Sequence, residues 1–235
     1  MRKVAIIQAR MSSSRLFGKS LLPLGNSNVL GQVIRRVQKT TVDDIIVATS
    51  TDELDDHIVN FCKNNDVKTY RGSLKNVLER YYHAATEHKA DIIIRVTADC
   101  PLYDPHLLNT MLTKFKDCDY FTTSLTRTFP RGVDIEVLTF AALEEAYRMA
   151  TKNAEFEHVT PYIYQNCNIF NCKNYESDVN LAGHRWTLDT REDYMLINSI
   201  YNHLGNNATT TDIVKFLQLN PDIYALNKHI EQKVV

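Results

Sequence analysis

Val4-Ala5-Ile6-Ile7-Gln8-Ala9-Arg10-Met11-Ser12-Ser13-Ser14-Arg15-Leu16-Phe17-Gly18-Lys19-Ser20 opens the chain. Its first four residues are apolar and read as a short buried strand. The thirteen that follow carry three cations, four serines and a glycine, with no apolar periodicity. A loop leaving the first strand of an α/β sheet lies where ligands bind, outside the carboxyl ends of the strands. Cations, hydroxyl donors and a glycine that lets backbone N–H groups approach an anion suit phosphate. The stretch points to a nucleotide-binding α/β protein.

A P-loop is the rival reading, because Gly18, Lys19 and Ser20 match the end of that pattern. Ser13 stands where its first glycine belongs. A P-loop also needs a helix to begin at once, whereas Pro23 and Gly25 block one here. The next helical pattern starts near Asn28. Ser20 is therefore not expected to hold a metal ion.

Outward from this loop, strands and helices alternate. Val29, Leu30, Val33, Ile34 and Val37 share a helical stripe. Ile45 to Ala48 is a strand, with Thr49 to Asp52 read as caps for a helix carrying Leu54, Ile58, Phe61 and Cys62. A strand over Val67–Tyr70 precedes a helix with Val77, Leu78, Tyr81 and Tyr82. Ile92–Ile94 opens a central strand ending near Asp99, and Asp104-Pro105 starts a fourth helix. The series predicts an α/β, doubly wound, mostly parallel sheet. Beyond Asp119, strands are expected over Tyr120–Ser124, Val133–Leu138 and Trp186–Leu188. Helices are expected over Thr139–Thr151, Glu155–Gln165, Arg191–Leu204 and Asp212–Leu219. The polar segment 166–179 reads as leaving the sheet, within an excursion around 120–180 that suits an insertion or a dimer contact.

The 235 residues are 44% hydrophobic and fit one domain. With 27 basic and 28 acidic residues, the net charge of −1 gives no case for nucleic acid or an anionic membrane. The start is not a signal peptide and no apolar run spans a membrane. Five cysteines without a C-x-x-C pair read as reduced thiols of a cytoplasmic protein.

Asp99, at the carboxyl end of a central strand, is placed to hold Mg²⁺ against phosphate oxygens. Asp189 is the second candidate, although it could instead cap the following helix; Asp193 is a weaker one. Arg10, Arg15 and Lys19 have no acid near them in sequence, which favours phosphate. Arg71, Arg80 and Arg95 are open between ligand contact and ion pairing within the fold.

Together these segments resemble the cytidylyltransferase family of acidic-sugar activation. The likeness is greatest to the spore-coat polysaccharide branch, related to the enzymes acting on keto-deoxy-octulosonate and acylneuraminate. It runs through Ile6–Leu16, Gly18-Lys19, Ile46–Ser50, Arg71-Gly72-Ser73, Val77–Tyr81, Asp99–Leu102, Gly132–Val137, Glu157–Tyr162, Leu188-Asp189-Thr190 and Glu192-Asp193-Tyr194. Phe17, Ala98 and Arg191 depart from the usual Pro, Gly and Pro. The resemblance implies a Rossmann-like nucleotide-diphospho-sugar transferase fold and a homodimer. It implies that Arg15 and Lys19 act on the triphosphate as catalytic cations, with Gln8, Ala9, Arg10, Ser12, Gly18 and Ala98 around the nucleotide. Asp99 and Asp189 match the family's metal ligands for Mg²⁺. Arg127, Arg131, Asp134, Glu136, His158 and Arg185 become candidates for an anionic acceptor if the second half folds back over the crevice.

The implied reaction transfers CMP from CTP to an acidic sugar, releasing pyrophosphate, in surface polysaccharide or glycoconjugate synthesis. Its alternatives are a phosphorylated or phosphonate acceptor, glycosyl transfer from a nucleotide sugar, and a non-catalytic nucleotide binder. Glycosyl transfer would call for an Asp-x-Asp after a strand, and the only one, Asp117-Cys118-Asp119, follows a helix.

Overall fold

A computed structural model describes residues 1–232. The chain runs through β1 (Lys3–Gln8), the hairpin strands β2 (Pro23–Leu24) and β3 (Ser27–Asn28), α1 (Val29–Val37), β4 (Asp44–Ser50), α2 (Asp56–Lys63), β5 (Lys68–Gly72) and α3 (Val77–Glu87). It continues through β6 (Ile92–Thr97), α4 (Pro105–Lys114), β7 (Tyr120–Thr122), β8 (Glu136–Thr139), α5 (Phe140–Met149), α6 (Asn153–His158) and α7 (Pro161–Gln165). β9 (Cys172–Asn174), α8 (Arg191–Leu204), α9 (Thr210–Leu219) and α10 (Pro221–Ala225) complete it.

Seven strands form one sheet in the order β5-β4-β1-β6-β8-β7-β9, and only β8 runs antiparallel to its neighbours. Alternation along β1 fixes the layers. Ala5 and Ile7 pack with α1, α2 and α4 residues such as Leu30, Ile58 and Leu108. Val4 and Ile6 face Leu78, Tyr81, Ala142 and Ile163 of α3, α5 and α7. A third cluster gathers Leu24, Trp186, Ile197 and Ile213 under the terminal helices. The order reverses between β1 and β6, so the switch-point crevice opens beyond Gln8 and Thr97, which are partners in register.

Local chemistry explains most element ends. Asn28 accepts from the Gly31 amide at the start of α1, and Asp104 accepts from His106 and Leu107 before α4. Thr190, not Asp189, caps α8 in a reciprocal box with Asp193. Asp189 is thereby released from the capping role.

Several expectations need correction. Thr49 and Ser50 belong to β4, leaving Asp52 to cap a short 3-10 turn. Trp186–Leu188 forms no strand; a single parallel bridge joins Arg131 and Arg185 instead. The segment expected to leave the sheet returns to its edge as β9, paired with β7. Cys167 and Cys172 are joined in a disulfide, against the expectation of reduced thiols. A tight reversal before β9 brings their Cα atoms to 5.5 Å, within bonding reach. The helix expected over Glu155–Gln165 breaks in two at Val159, which has φ 72° and ψ −55°. The Thr160 amide bonds the His158 carbonyl across it at 2.9 Å, closing a γ-turn of the strained kind.

Candidate active site

The loop after β1 is held by its own backbone. The Gly18 amide and the Ser13 amide both donate to the Met11 carbonyl at 2.9 Å. Gly18 sits at φ +68°, the left-handed region where glycine costs nothing. The buried Asp55 carboxylate accepts from the Met11 amide at 2.7 Å and anchors the loop to the end of β4. A 3-10 turn over Lys19–Leu21 follows in place of a helix, so the P-loop reading fails on structure as well as on pattern. Ser20 is buried and donates to the Arg10 carbonyl at 3.1 Å. Ser20→Ala is expected to cost about 1 kcal/mol of stability through that one bond, and to leave unchanged the response of turnover to Mg²⁺ that the family resemblance implies. Chemical denaturation together with a Mg²⁺ titration of the rate checks both.

The loop projects Lys19 into a cleft of about 420 Å³ over β1 and β6. There Nζ donates to Asp99 Oδ2 at 2.7 Å, Asp189 Oδ1 at 2.8 Å and the Leu188 carbonyl at 2.9 Å. Arg15 Nη2 reaches Asp189 Oδ1 at 3.0 Å. A backbone bond from the Leu188 amide to the Asp99 carbonyl, 2.8 Å long, fastens the two carboxylate-bearing segments together. Burial alone would raise the Asp99 pKa, but the Lys19 ammonium outweighs it and holds the carboxyl well below the ordinary range. Burial would likewise lower Lys19, and the charges of Asp99 and Asp189 turn that into a rise. The Asp99–Lys19 pair is ionised throughout the neutral range.

Behind Asp189 lies a second set of bonds. Arg185 Nη2 meets Asp189 Oδ2 at 3.1 Å, while its Nε and Nη2 meet the two oxygens of Asp193 at 2.9 and 3.0 Å. Asp193, fully buried, also accepts from the amides of Asp189 and Thr190 and from Asn227 Nδ2. One oxygen of Asp189 is thus fixed from behind and the other faces the cleft.

Gln8, Ala9, Arg10, Arg15, Lys19, Ala98, Asp99, His158 and Asp189 line the cleft together. Ser12 and Gly18 do not line it; Gly18 shapes the loop instead. Arg127 pairs with Asp134 at 2.5 Å, and Asp134 also accepts from the Gly132 amide. Glu136 is buried between Arg95, at 2.5 Å, and the Tyr120 hydroxyl, at 2.9 Å. Arg131 and Arg185 lie outside the cleft, around a smaller neighbouring pocket. His158 does reach the wall. Burial lowers its pKa against the pull of Glu157, Arg95 and Arg10 add to that, and the ring is neutral at pH 7.

Arg80 and Arg95 stand out as contributors that the sequence left open. Arg80, only 1% exposed, lines the cleft with Nε and Nη1 lacking any hydrogen-bond partner among the described residues. Gly72 makes room for its stem, since a Cβ there would come within 2.9 Å of Arg80 Cγ. Gln8 Oε1 and Arg95 Nε are likewise buried without hydrogen-bond partners among the described residues. Buried donors and acceptors left open in a cleft are groups that a ligand completes. The signal in sequence was a cation inside the apolar stripe of α3, beside Tyr81.

The family model for cytidylyltransferases matches residues 4–231. The chain belongs to the cytidylyltransferase family. Among relatives of this cytidylyltransferase, an uncharacterized protein of Methanocaldococcus jannaschii is 38% identical, covering 99% of this chain and 97% of the relative. The spore coat polysaccharide biosynthesis protein SpsF of Bacillus subtilis is 32% identical over 92% of this chain and 94% of its own. The structure of a cytidylyltransferase from Leptospira borgpetersenii superposes with a TM-score of 0.91 at 33% identity, covering 100% of this chain and 99% of that one. The expected fold and family stand. Asp117-Cys118-Asp119 sits far from the cytidylyltransferase cleft, with Asp117 and Cys118 beside Met1 and Lys3 at the opposite end of the sheet. Glycosyl transfer through that Asp-x-Asp has no site here. Among the described residues no helix is long and apolar enough to cross a membrane.

Proposed function

We propose that the cleft binds CTP and transfers CMP to an oxygen of an acidic sugar, releasing pyrophosphate, in surface polysaccharide or glycoconjugate synthesis. The observation that carries this reading is the Asp99–Lys19–Asp189 cluster at the switch point, with Arg15 beside it. Family membership supports CTP as the nucleotide, and the SpsF relative supports the polysaccharide setting.

Two carboxylate oxygens converge on a single cation, and hard oxygen donors of this kind suit Mg²⁺ shared with phosphate oxygens. Asp99 and Asp189 would hold that ion, and when bound it supplies charge neutralisation on the phosphates. Lys19 and Arg15 then stabilise the negative charge that grows on departing pyrophosphate. The acceptor oxygen bonds to the α-phosphorus as the bond from that phosphorus to the bridging oxygen breaks, and the hydroxyl proton leaves to solvent. Asp99, with its depressed pKa, is a poor base and a good holder of cations. Arg10, Arg95 and His158 share the remaining wall with Glu157, and Arg10 and Arg95 are paired to Glu157 and Glu136, so the support for an anionic acceptor is the likeness to the spore coat polysaccharide relative. A dimer and a cytoplasmic setting belong to the same proposal.

Arg80 and Gln8 are assigned to the base. An open guanidinium donates to the cytosine carbonyl and ring nitrogen, and Gln8 Oε1 accepts from the exocyclic amine. Arg80→Lys is expected to weaken CTP binding about tenfold or more, the scale of a lost charge-assisted hydrogen bond. Titration calorimetry with CTP measures it, and unchanged affinity would remove Arg80 from the base site.

The reading is tested by pyrophosphate release from CTP, UTP, ATP and GTP against acidic, neutral and phosphorylated sugars. Turnover confined to CTP with an acidic sugar supports it. Equal use of a neutral sugar defeats the acceptor assignment, and preference for another nucleotide defeats the whole.

A further inference from the structure

Beside the cleft lies a pocket of about 160 Å³, walled by Arg131, His184, Arg185, Tyr224, Asn227 and Lys228. It is smaller than the roughly 300 Å³ where pockets for drug-sized ligands begin. Among the described residues no carboxylate lines it. Arg131 makes no ion pair among the described residues, in contrast to Arg127, which is held by Asp134. The Lys228 ammonium rests 5.7 Å from the Tyr224 ring centre. His184 Nδ1 is buried without a hydrogen-bond partner among the described residues.

The frame of this pocket is rigid. The Arg131 amide bonds the His184 carbonyl at 3.0 Å, and the Trp186 amide bonds the Arg131 carbonyl at 2.7 Å. Gly132, at φ +96°, allows the approach, because a Cβ there would lie 2.5 Å from the Trp186 carbonyl carbon. Asn227 Nδ2 closes the other side on the Arg185 carbonyl at 2.9 Å. Burial first, then the neighbouring Arg127 and Arg185, lower the Arg131 pKa further than Asp134 raises it.

We propose that this pocket is an oxyanion site, separate from the nucleotide cleft, that takes a single carboxylate or phosphate group on Arg131, Lys228 and His184. Gln232 borders both the pocket and the cleft. The anion therefore comes either from an acceptor reaching past Gln232 or from free phosphate. Binding itself does not rest on the CTP reading; only the acceptor source does.

Trp186, the only tryptophan in the chain, has its ring 5.4 Å from that of His184 and is buried. Its fluorescence reports on the pocket without any need for turnover. Titration of the full chain with inorganic phosphate is expected to give a saturable change that persists in Lys19→Ala. In Arg131→Ala and in Lys228→Gln, half-saturation is expected at about tenfold higher phosphate or more. Neither side chain has an ion-pair partner among the described residues, so both variants should fold, with circular dichroism as the control. A non-saturable change, or wild-type affinity in both variants, would overturn the site. So would loss of the signal in Lys19→Ala alone, which would place the phosphate in the cleft. The source follows from kinetics on an active acceptor. Phosphate that raises acceptor KM, with Arg131→Ala doing the same, identifies the acceptor's own group; phosphate that changes kcat at saturating acceptor identifies a free anion. If no nucleotide turns over yet phosphate still saturates, the CTP reading fails and the pocket stands.

Discussion

Asp99→Asn is expected to lower kcat with CTP by on the order of a hundredfold or more, because the proposed metal-holding role of this carboxylate would supply several kcal/mol of charge stabilisation. The fold should survive. The introduced amide keeps an oxygen to accept from Lys19, and the bond from the Leu188 amide to the Asp99 carbonyl does not involve the side chain. The loss should fall mainly on kcat, since in the proposed site Arg15, Lys19 and Arg80 would still grip the nucleotide. Steady-state kinetics at saturating Mg²⁺ on the folded variant decide it. Turnover near wild type would take Asp99 out of the mechanism.

Lys19→Met should have an effect of similar size on turnover and a second one on the protein alone. Lys19 is the shared counter-ion of Asp99 and Asp189. Asp99 titrates below its ordinary value in the folded parent, so its pairing contributes stability above the unfolded value of about 4. That contribution disappears as pH falls through the lowered folded value. Without Lys19 the two carboxylates repel, the Asp99 carboxyl loses its depressing partner, and the sign of the dependence reverses. Melting temperature in the variant should rise relative to the parent as pH drops from 7 toward 5. Mg²⁺ should raise the variant's melting temperature more than the parent's, because Asp99 has lost its cation while Asp189 keeps Arg15 and Arg185. A variant that melts like the parent at every pH and Mg²⁺ level would show that Lys19 is not the keystone of the cluster.

The first half of the fold was legible because local signals agreed with each other. The Val29–Val37 stripe, the Asn28 and Asp104 caps and the Ile92–Ile94 strand each needed no distant partner to be read. The loop from Gln8 to Ser20 announced its chemistry through composition alone. What escaped is what tertiary contact decides. Trp186–Leu188 has strand composition, yet only one bridge forms because Gly132 brings a single turn against it. Arg185 looked available for a ligand, and its partners Asp189, Asp193 and Asn227 converge only after α8 and the chain beyond α10 have packed. Arg80 showed its burial by standing inside the apolar stripe of α3, but not the cleft its guanidinium faces, because distant residues such as Gln8 and Ala98 line that opening.

The turn at Val159 carries a consequence for how this protein can change. A β-branched residue in that backbone region costs about 1–3 kcal/mol, and the offset comes from the apolar core between the sheet and α3, α5 and α7, where Val159 is wholly enclosed. The same turn aims Glu157 and His158 at the cleft wall. On the proposed reading of His158 as an acceptor contact, selection on the hydrophobic interior and selection on acceptor choice act through one residue. A lineage that repacks this core relaxes the turn and redirects the histidine without touching the site itself. Substrate range among such proteins can drift from the inside out.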